Sequence, residues 1–170
     1  AGGKSLHLSA LMENKGQLLA LDIYPGKLNE LKKRAKRAGA FNIETRLISS
    51  SKVIKRLSKT ADRVLIDAPC TGLGVLRRNP DAKWKLQPEF VEEVCQTKQD
   101  LLSSYSRMLK EGGQMVYATC SILPLENEQQ VRAFLKSEAG KDFQLLEEHH
   151  IFPSREGFDG FYMARLKRGD

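Results

Sequence analysis

Along the chain, short apolar runs alternate with stretches in which apolar positions recur every three or four residues. The runs at residues 17–22, 43–48, 63–67 and 114–118 have strand length and are mostly apolar, as strands buried on both faces require. The periodic stretches predict helices at 6–12, 27–38, 52–57, 88–109 and 126–137. In 27–38, Leu28, Leu31, Ala35 and Ala38 share a face, and Gly39 supplies the stop. In 88–109, Pro88 opens the helix, and Val91, Val94, Cys95, Leu101, Leu102, Tyr105, Met108 and Leu109 keep its period. Cys95 sits within that stripe and is expected as a small core residue. Val131, Phe134 and Leu135 form the inward face of 126–137. Residues 143–146 and 160–166 predict a closing antiparallel pair. Alternation of strands and helices in this order means an α/β fold, with a mostly parallel sheet covered by helices on both faces.

Two of the strands end in reactive side chains. In Arg63-Val-Leu-Ile-Asp-Ala-Pro-Cys-Thr-Gly72 the apolar run stops at an acid, a proline and a thiol. Asp67 and Cys70 then stand at the carboxyl edge of the sheet, where open α/β folds bind ligands, and Pro69 stiffens the turn between them. The stretch Gln114-Met-Val-Tyr-Ala-Thr-Cys-Ser121 brings Cys120 to an edge in the same way. If these strands are neighbours, two thiols and a carboxylate converge on one pocket. At the beginning, Ala1-Gly-Gly-Lys-Ser5 is a glycine turn opening a helix, and Asp22 ends the next strand 19 residues beyond Gly3. That spacing suits a carboxylate on the ribose of an adenosine-bearing cofactor; a capping or surface acid is the plainer role for Asp22. A thiol at a polar strand end can act as a nucleophile, and a carboxyl group beside it can hold a heterocycle's ring nitrogen.

Charge adds a partner class. The chain has 170 residues, of which 41% are hydrophobic and 29% charged, as in ordinary globular proteins. Lys and Arg number 28 against 21 acids, a net charge of +7 that suits a polyanion or serves solubility alone. Lys32, Lys33, Arg34, Lys36 and Arg37 form the outer face of 27–38, either solvated or laid against nucleic acid. The loop 73–84 carries Arg77, Arg78, Lys83 and Trp84, with Lys85 following. Its cations can grip phosphates while Trp84 stacks on a base, or Trp84 can pin the loop to the body. Three widely spaced cysteines without a C-x-x-C pair argue against disulfides and structural metal. No apolar stretch has membrane-spanning length and no signal peptide opens the chain, so a cytoplasmic, monomeric protein is expected.

Asp67-Ala-Pro-Cys-Thr-Gly72 and Tyr117-Ala-Thr-Cys-Ser-Ile122 resemble the two signature cysteine motifs of the Sun/Fmu-type RNA 5-methylcytosine methyltransferases. The similarity runs almost the whole length. It takes in Ala1-Gly-Gly-Lys-Ser-Leu-His-Leu8, Val75-Leu-Arg-Arg-Asn-Pro-Asp81, Pro124-Leu-Glu-Asn-Glu128 and Gly157-Phe-Asp-Gly-Phe-Tyr-Met-Ala164. The resemblance implies a Rossmann-like S-adenosylmethionine-dependent methyltransferase domain over residues 1–170 that modifies cytosine in RNA, ribosomal RNA first and transfer RNA second. It implies Cys120 as the nucleophile on C6 of the base and Cys70 as the group acting in loss of the C5 proton and release. Asp67 would contact the base and cofactor, Gly2, Gly3 and Lys4 the methionine end of the cofactor, and Asp22 its ribose. In related DNA cytosine methyltransferases the Pro-Cys motif supplies the nucleophile, which here would be Cys70.

The chain departs from the family pattern twice. Leu47-Ile-Ser-Ser-Ser51 lacks the acid that holds the adenine, and the chain starts inside the glycine motif. The expectation is therefore an N-terminally truncated domain, with its first strand missing and a central slot in the sheet. The alternatives are an impaired RNA-binding domain that keeps the fold, and an amino-methyltransferase, which would carry a Pro-Pro-aromatic turn at 68–70. A dinucleotide oxidoreductase comes third.

Overall fold

The computed structural model describes the backbone of residues 1–170 and every side chain except that of Lys85, which lies outside the described residues. The chain folds as two compact units, Ala1–Val53 and Ile54–Asp170. In the first, α1 (Gly3–Leu11), β1 (Leu18–Asp22), α2 (Pro25–Arg37) and β2 (Ile43–Leu47) follow in order, and α3 (Ser51–Arg56) crosses the boundary between units. Strands β1 and β2 pair in parallel, Leu18 opposite Ile43 and Asp22 opposite Leu47. Leu28, Leu31 and Ala35 of α2 are buried as their spacing predicts, while Lys32, Lys33, Lys36 and Arg37 lie exposed. Ser9 is buried because its hydroxyl donates to the Asn42 side chain at 2.6 Å.

The second unit contains β3 (Ala61–Asp67), α4 (Ala82–Lys85), α5 (Pro88–Tyr105), β4 (Leu109–Thr119), α6 (Glu128–Lys136), β5 (Phe143–Ile151), α7 (Pro153–Glu156) and β6 (Phe161–Arg168). Its sheet has the order β3-β4-β6-β5. Strands β3 and β4 run parallel, whereas β6 is antiparallel to both β4 and β5. The core forms where β4 and β6 lie side by side. Leu109, Met115, Tyr117, Thr119, Tyr162, Ala164 and Leu166 are all fully buried there, as are Val131 and Phe134 of α6.

Several sequence expectations need correction. The second unit's sheet is mixed, with one parallel and two antiparallel ladders, because the expected closing pair enters beside β4 through β6. The strands form two hydrogen-bonded sheets, one in each unit, so β1 and β3 pair on one side only among the described residues. Accordingly β1 is half-buried throughout, and on β3 Val64 and Ile66 are buried while Leu65 is 41% exposed. The helix expected to reach 109 stops at Tyr105 and passes through a short turn, Ser106–Met108. Met108 and Leu109 are buried either way, and a ladder position opposite Ala61 claims Leu109 for β4. Strand β5 runs five residues past the expected end, to Ile151, along the edge of β6.

Candidate active site

The parallel register sets Asp67 opposite Ala118, so the turns that follow β3 and β4 leave the sheet together. The Ala68 N–H donates to the Ala118 carbonyl at 2.9 Å, which prolongs the pairing one residue beyond Asp67. Both cysteines therefore meet. The Cys70 and Cys120 sulfurs lie 3.0 Å apart, each half-buried, and Asp67 is exposed at the end of β3. The two thiols meet, and Asp67 lies close enough for its charge to act on Cys120.

A loop closes over this pair through its backbone. Gly72 adopts a left-handed φ of 73°, and Gly74 then donates from its N–H to the Cys120 carbonyl at 2.9 Å. The Gly160 N–H in turn donates to the Gly74 carbonyl at 2.7 Å. Arg77 donates to the Gly157 carbonyl at 3.0 Å, and Arg78 pairs with Asp159 at 2.6 Å. Trp84 is 77% exposed, with the Lys83 ammonium 4.8 Å from its ring centre. It offers a stacking face and does not pin the loop. Cys95 is half-buried instead of core, and its thiol donates to the Leu125 carbonyl at 3.5 Å.

The two thiols titrate as one system. A hydrogen bond from Cys120 holds Cys70 down to about 7. The same bond, then burial, then the charges on Cys70 and Asp67, push Cys120 well above the ordinary thiol range. The pair thus gives up one proton near neutrality and keeps the second.

Beneath the cysteines lies a cluster that sequence reasoning did not identify. Glu126 and Lys98 are both fully buried and form an ion pair at 2.6 Å. The carboxylate also accepts from the Thr71 N–H at 3.0 Å, from the Thr71 hydroxyl and from the Ser121 hydroxyl at 2.6 Å. Burial alone would raise the Glu126 pKa, but the bonds from Lys98, Ser121 and Thr71 outweigh it and leave it lowered. A sequence signal existed: Lys98 stands between Val94 and Leu102, four residues from each, on a helix face that is otherwise apolar. A lysine there needs a buried counter-charge.

Of the cofactor residues inferred from sequence, Gly2, Gly3, Lys4 and Asp22 lie in the first unit and Asp67 in the second. Gly2 caps α1 with a left-handed φ of 85°, and a Cβ there would meet Leu31 Cδ1 at 2.5 Å. Around Gly3 a Cβ would meet no atom within 4 Å, so no side chain crowds the start of α1 there. Lys4 follows on the exposed side. Asp22 ends β1 half-buried, and its carboxylate accepts from the Tyr24 N–H at 2.8 Å. An uncrowded glycine turn at a helix start and an acid at the end of β1 fit an adenosine-bearing cofactor.

Comparisons with known proteins agree. A family model described as 16S rRNA methyltransferase RsmB/F matches residues 1–167. Ribosomal RNA small subunit methyltransferase B of Proteus mirabilis (strain HI4320) is 35% identical over 170 residues, covering 98% of this chain and 39% of that protein. The probable ribosomal RNA small subunit methyltransferase B of Bacillus subtilis (strain 168) is 30% identical, covering 98% and 41%. Among solved structures, NSun6 from Pyrococcus horikoshii with SFG superposes with a TM-score of 0.88 at 27% identity, covering 99% of this chain and 46% of that one. The fold is the Rossmann-like fold of S-adenosylmethionine-dependent methyltransferases. The chain spans about two fifths of the length of the curated relatives it matches. With the family model matching nearly every residue, the chain belongs to the 16S rRNA methyltransferase RsmB/F family.

Proposed function

We propose that this chain carries the reactive centre of an S-adenosylmethionine-dependent ribosomal RNA methyltransferase that modifies C5 of cytosine through a covalent cysteine adduct. The observation that carries this is the meeting of the two thiols, 3.0 Å apart, at the ends of neighbouring parallel strands that also bear Asp67. S-adenosylmethionine, when bound, supplies an electrophilic methyl group, and Gly2, Gly3, Lys4 and Asp22 of the first unit are the residues that would hold it.

The chain's own residues prepare the base. Cytosine C5 is a poor nucleophile in the intact ring. Addition of the Cys120 thiolate to C6 forms an S–C6 bond and moves the C5–C6 π electrons into the ring, which makes C5 electron-rich. Asp67 steadies the base through its ring nitrogen edge while that charge develops. Forming the S–C6 bond leaves the proton that the two thiols share on Cys70, which passes it to solvent; after C5 has taken its methyl group, the Cys70 thiolate accepts the C5 proton. The C–H electron pair rebuilds the double bond, and the S–C6 pair returns to Cys120. A group that ionises near 7 is suited to this second task, since it can hold or release a proton at neutral pH. The cytosine must leave its stack to reach the thiols, and exposed Trp84 with Lys83 gives a surface for stacking and phosphate contact.

One observation favours exchanging the cysteines' roles. The Asp67 charge acts against ionisation of Cys120, while Cys70 is the thiol drawn down to about 7. Trapping decides between them. The full-length protein, as wild type, Cys70→Ala and Cys120→Ala, is incubated with S-adenosylmethionine and ribosomal RNA and run on denaturing gels. We expect a stalled protein–RNA adduct in Cys70→Ala and none in Cys120→Ala. Adduct in Cys120→Ala alone makes Cys70 the nucleophile. Absence of both adduct and methyl transfer leaves a domain that binds RNA without modifying it.

A further inference from the structure

We propose that Glu126, neutralised by buried Lys98, is a positioning residue that fixes the approach of Cys70 to Cys120. The role in catalysis rests on the methyltransferase function proposed above; the positioning itself does not. Thr71 follows Cys70 directly and Ser121 follows Cys120 directly, and both donate to this single carboxylate. The two cysteine turns belong to different strands; their Thr71 and Ser121 hydroxyls lie 3.4 Å apart, and Glu126 is the charged group that both reach. One carboxylate oxygen accepts from Lys98 Nζ at 2.6 Å and from the Thr71 N–H at 3.0 Å. The other accepts from the Thr71 hydroxyl and from the Ser121 hydroxyl at 2.6 Å.

The donors are themselves held. Asn127 donates from its amide to the Ser121 carbonyl at 2.9 Å and accepts from the Thr119 hydroxyl at 2.6 Å. The Glu126 carbonyl accepts from the Tyr117 hydroxyl at 2.6 Å and from Lys98 Nζ at 3.3 Å. Lys98 of α5 and both turns thus converge on the Glu126 carboxylate, while Tyr117 and Thr119 of β4 hold the Glu126 backbone and Asn127.

A buried ion pair is a poor device for stability alone, because well-packed apolar residues of the same volume commonly do as well or better. What apolar residues cannot do is accept three hydrogen bonds from two separate turns and a fourth from Lys98. A carboxylate has about four acceptor sites, enough for this set, whereas a glutamine offers one carbonyl oxygen and turns an N–H₂ toward donors. The arrangement therefore specifies geometry: it sets where each turn starts, one residue past its thiol.

The test measures thiol proximity apart from methyl transfer. Full-length protein carrying Cys95→Ser is treated with diamide, which takes up two electrons and two protons as the Cys70–Cys120 disulfide forms, and the bridge is followed by peptide mass mapping. Variants are Glu126→Gln, Glu126→Gln with Lys98→Met, and Thr71→Val with Ser121→Ala. The last keeps the ion pair and the side-chain volumes nearly intact, so it serves if the first two do not fold. In folded variants bridging should slow by roughly tenfold, and kcat should fall while KM for RNA stays unchanged. Thr71→Ser alone, which keeps its hydroxyl, should bridge at the parent rate. Parent-rate bridging in a folded Thr71→Val, Ser121→Ala variant overturns the proposal. Slowed bridging in a protein whose parent transfers no methyl group upholds the positioning and removes the functional reading instead.

Discussion

At 3.0 Å the Cys70 and Cys120 sulfurs share a proton, and this governs how either can react. Because the folded pKa of Cys70 lies below the usual thiol value, the thiolate persists down to about 7 and is lost as the pH falls through it. Alkylation by iodoacetamide should accordingly show a midpoint near 7 for the pair, and Cys120→Ala should move it toward the ordinary thiol value of about 8.5. Cys95, pushed up by burial, should stay slow at neutral pH in the same mapping experiment. Equal midpoints near 8.5 for Cys70 in both proteins would rule out the shared proton. These thiols were legible in the sequence because each follows an apolar run and sits at a strand end. Glu126 was harder to see. Its neighbours Thr71 and Ser121 are ordinary turn residues, and only the parallel register brings them to the same carboxylate.

Among the elements, β4 is the hub, paired with β3 on one side and β6 on the other. The connections above it pack backbone against backbone. A Cβ on Gly74 would come within 2.2 Å of the Gly160 carbonyl oxygen and 2.6 Å of the Cys120 carbonyl oxygen. No flexible side chain is there to give way. Gly74→Ala should cost about 1–3 kcal/mol in urea unfolding and slow any chemistry at the thiols. Gly26→Ala is the control: nothing lies within 4 Å of its Cβ position in α2, and it should be neutral or stabilising by up to about 1 kcal/mol. Equal effects at the two positions would refute the steric account. Local pattern located nearly every element but set several ends wrongly. An apolar residue such as Leu109 satisfies a helix face and a strand equally, and the choice is made by a partner far away in sequence. The place of β6 between β4 and β5 is likewise a long-range outcome that no local periodicity encodes.

For the whole molecule, the excess of positive charge is the broadest clue to a partner, with a net +7 and exposed cations on α2 and on the 73–84 loop. If RNA is that partner, affinity should depend steeply on salt. Three phosphate contacts on a single-stranded segment imply a loss of roughly tenfold or more between 50 and 200 mM salt. A flat salt response in a filter-binding titration would argue against phosphate contacts as the source of affinity. The strand order carries another consequence, for synthesis. Because β6 lies between β4 and β5, Gln114 must wait for Lys167, and Thr119 for Tyr162. A nascent chain that has extruded β5 has nowhere to place it, since its neighbour in the sheet is still inside the ribosome. Until residue 161 and those after it emerge, one flank of β4 and all of β5 are unpaired backbone, open to other chains. The interval between translating β5 and translating β6 is then when this chain most needs a chaperone.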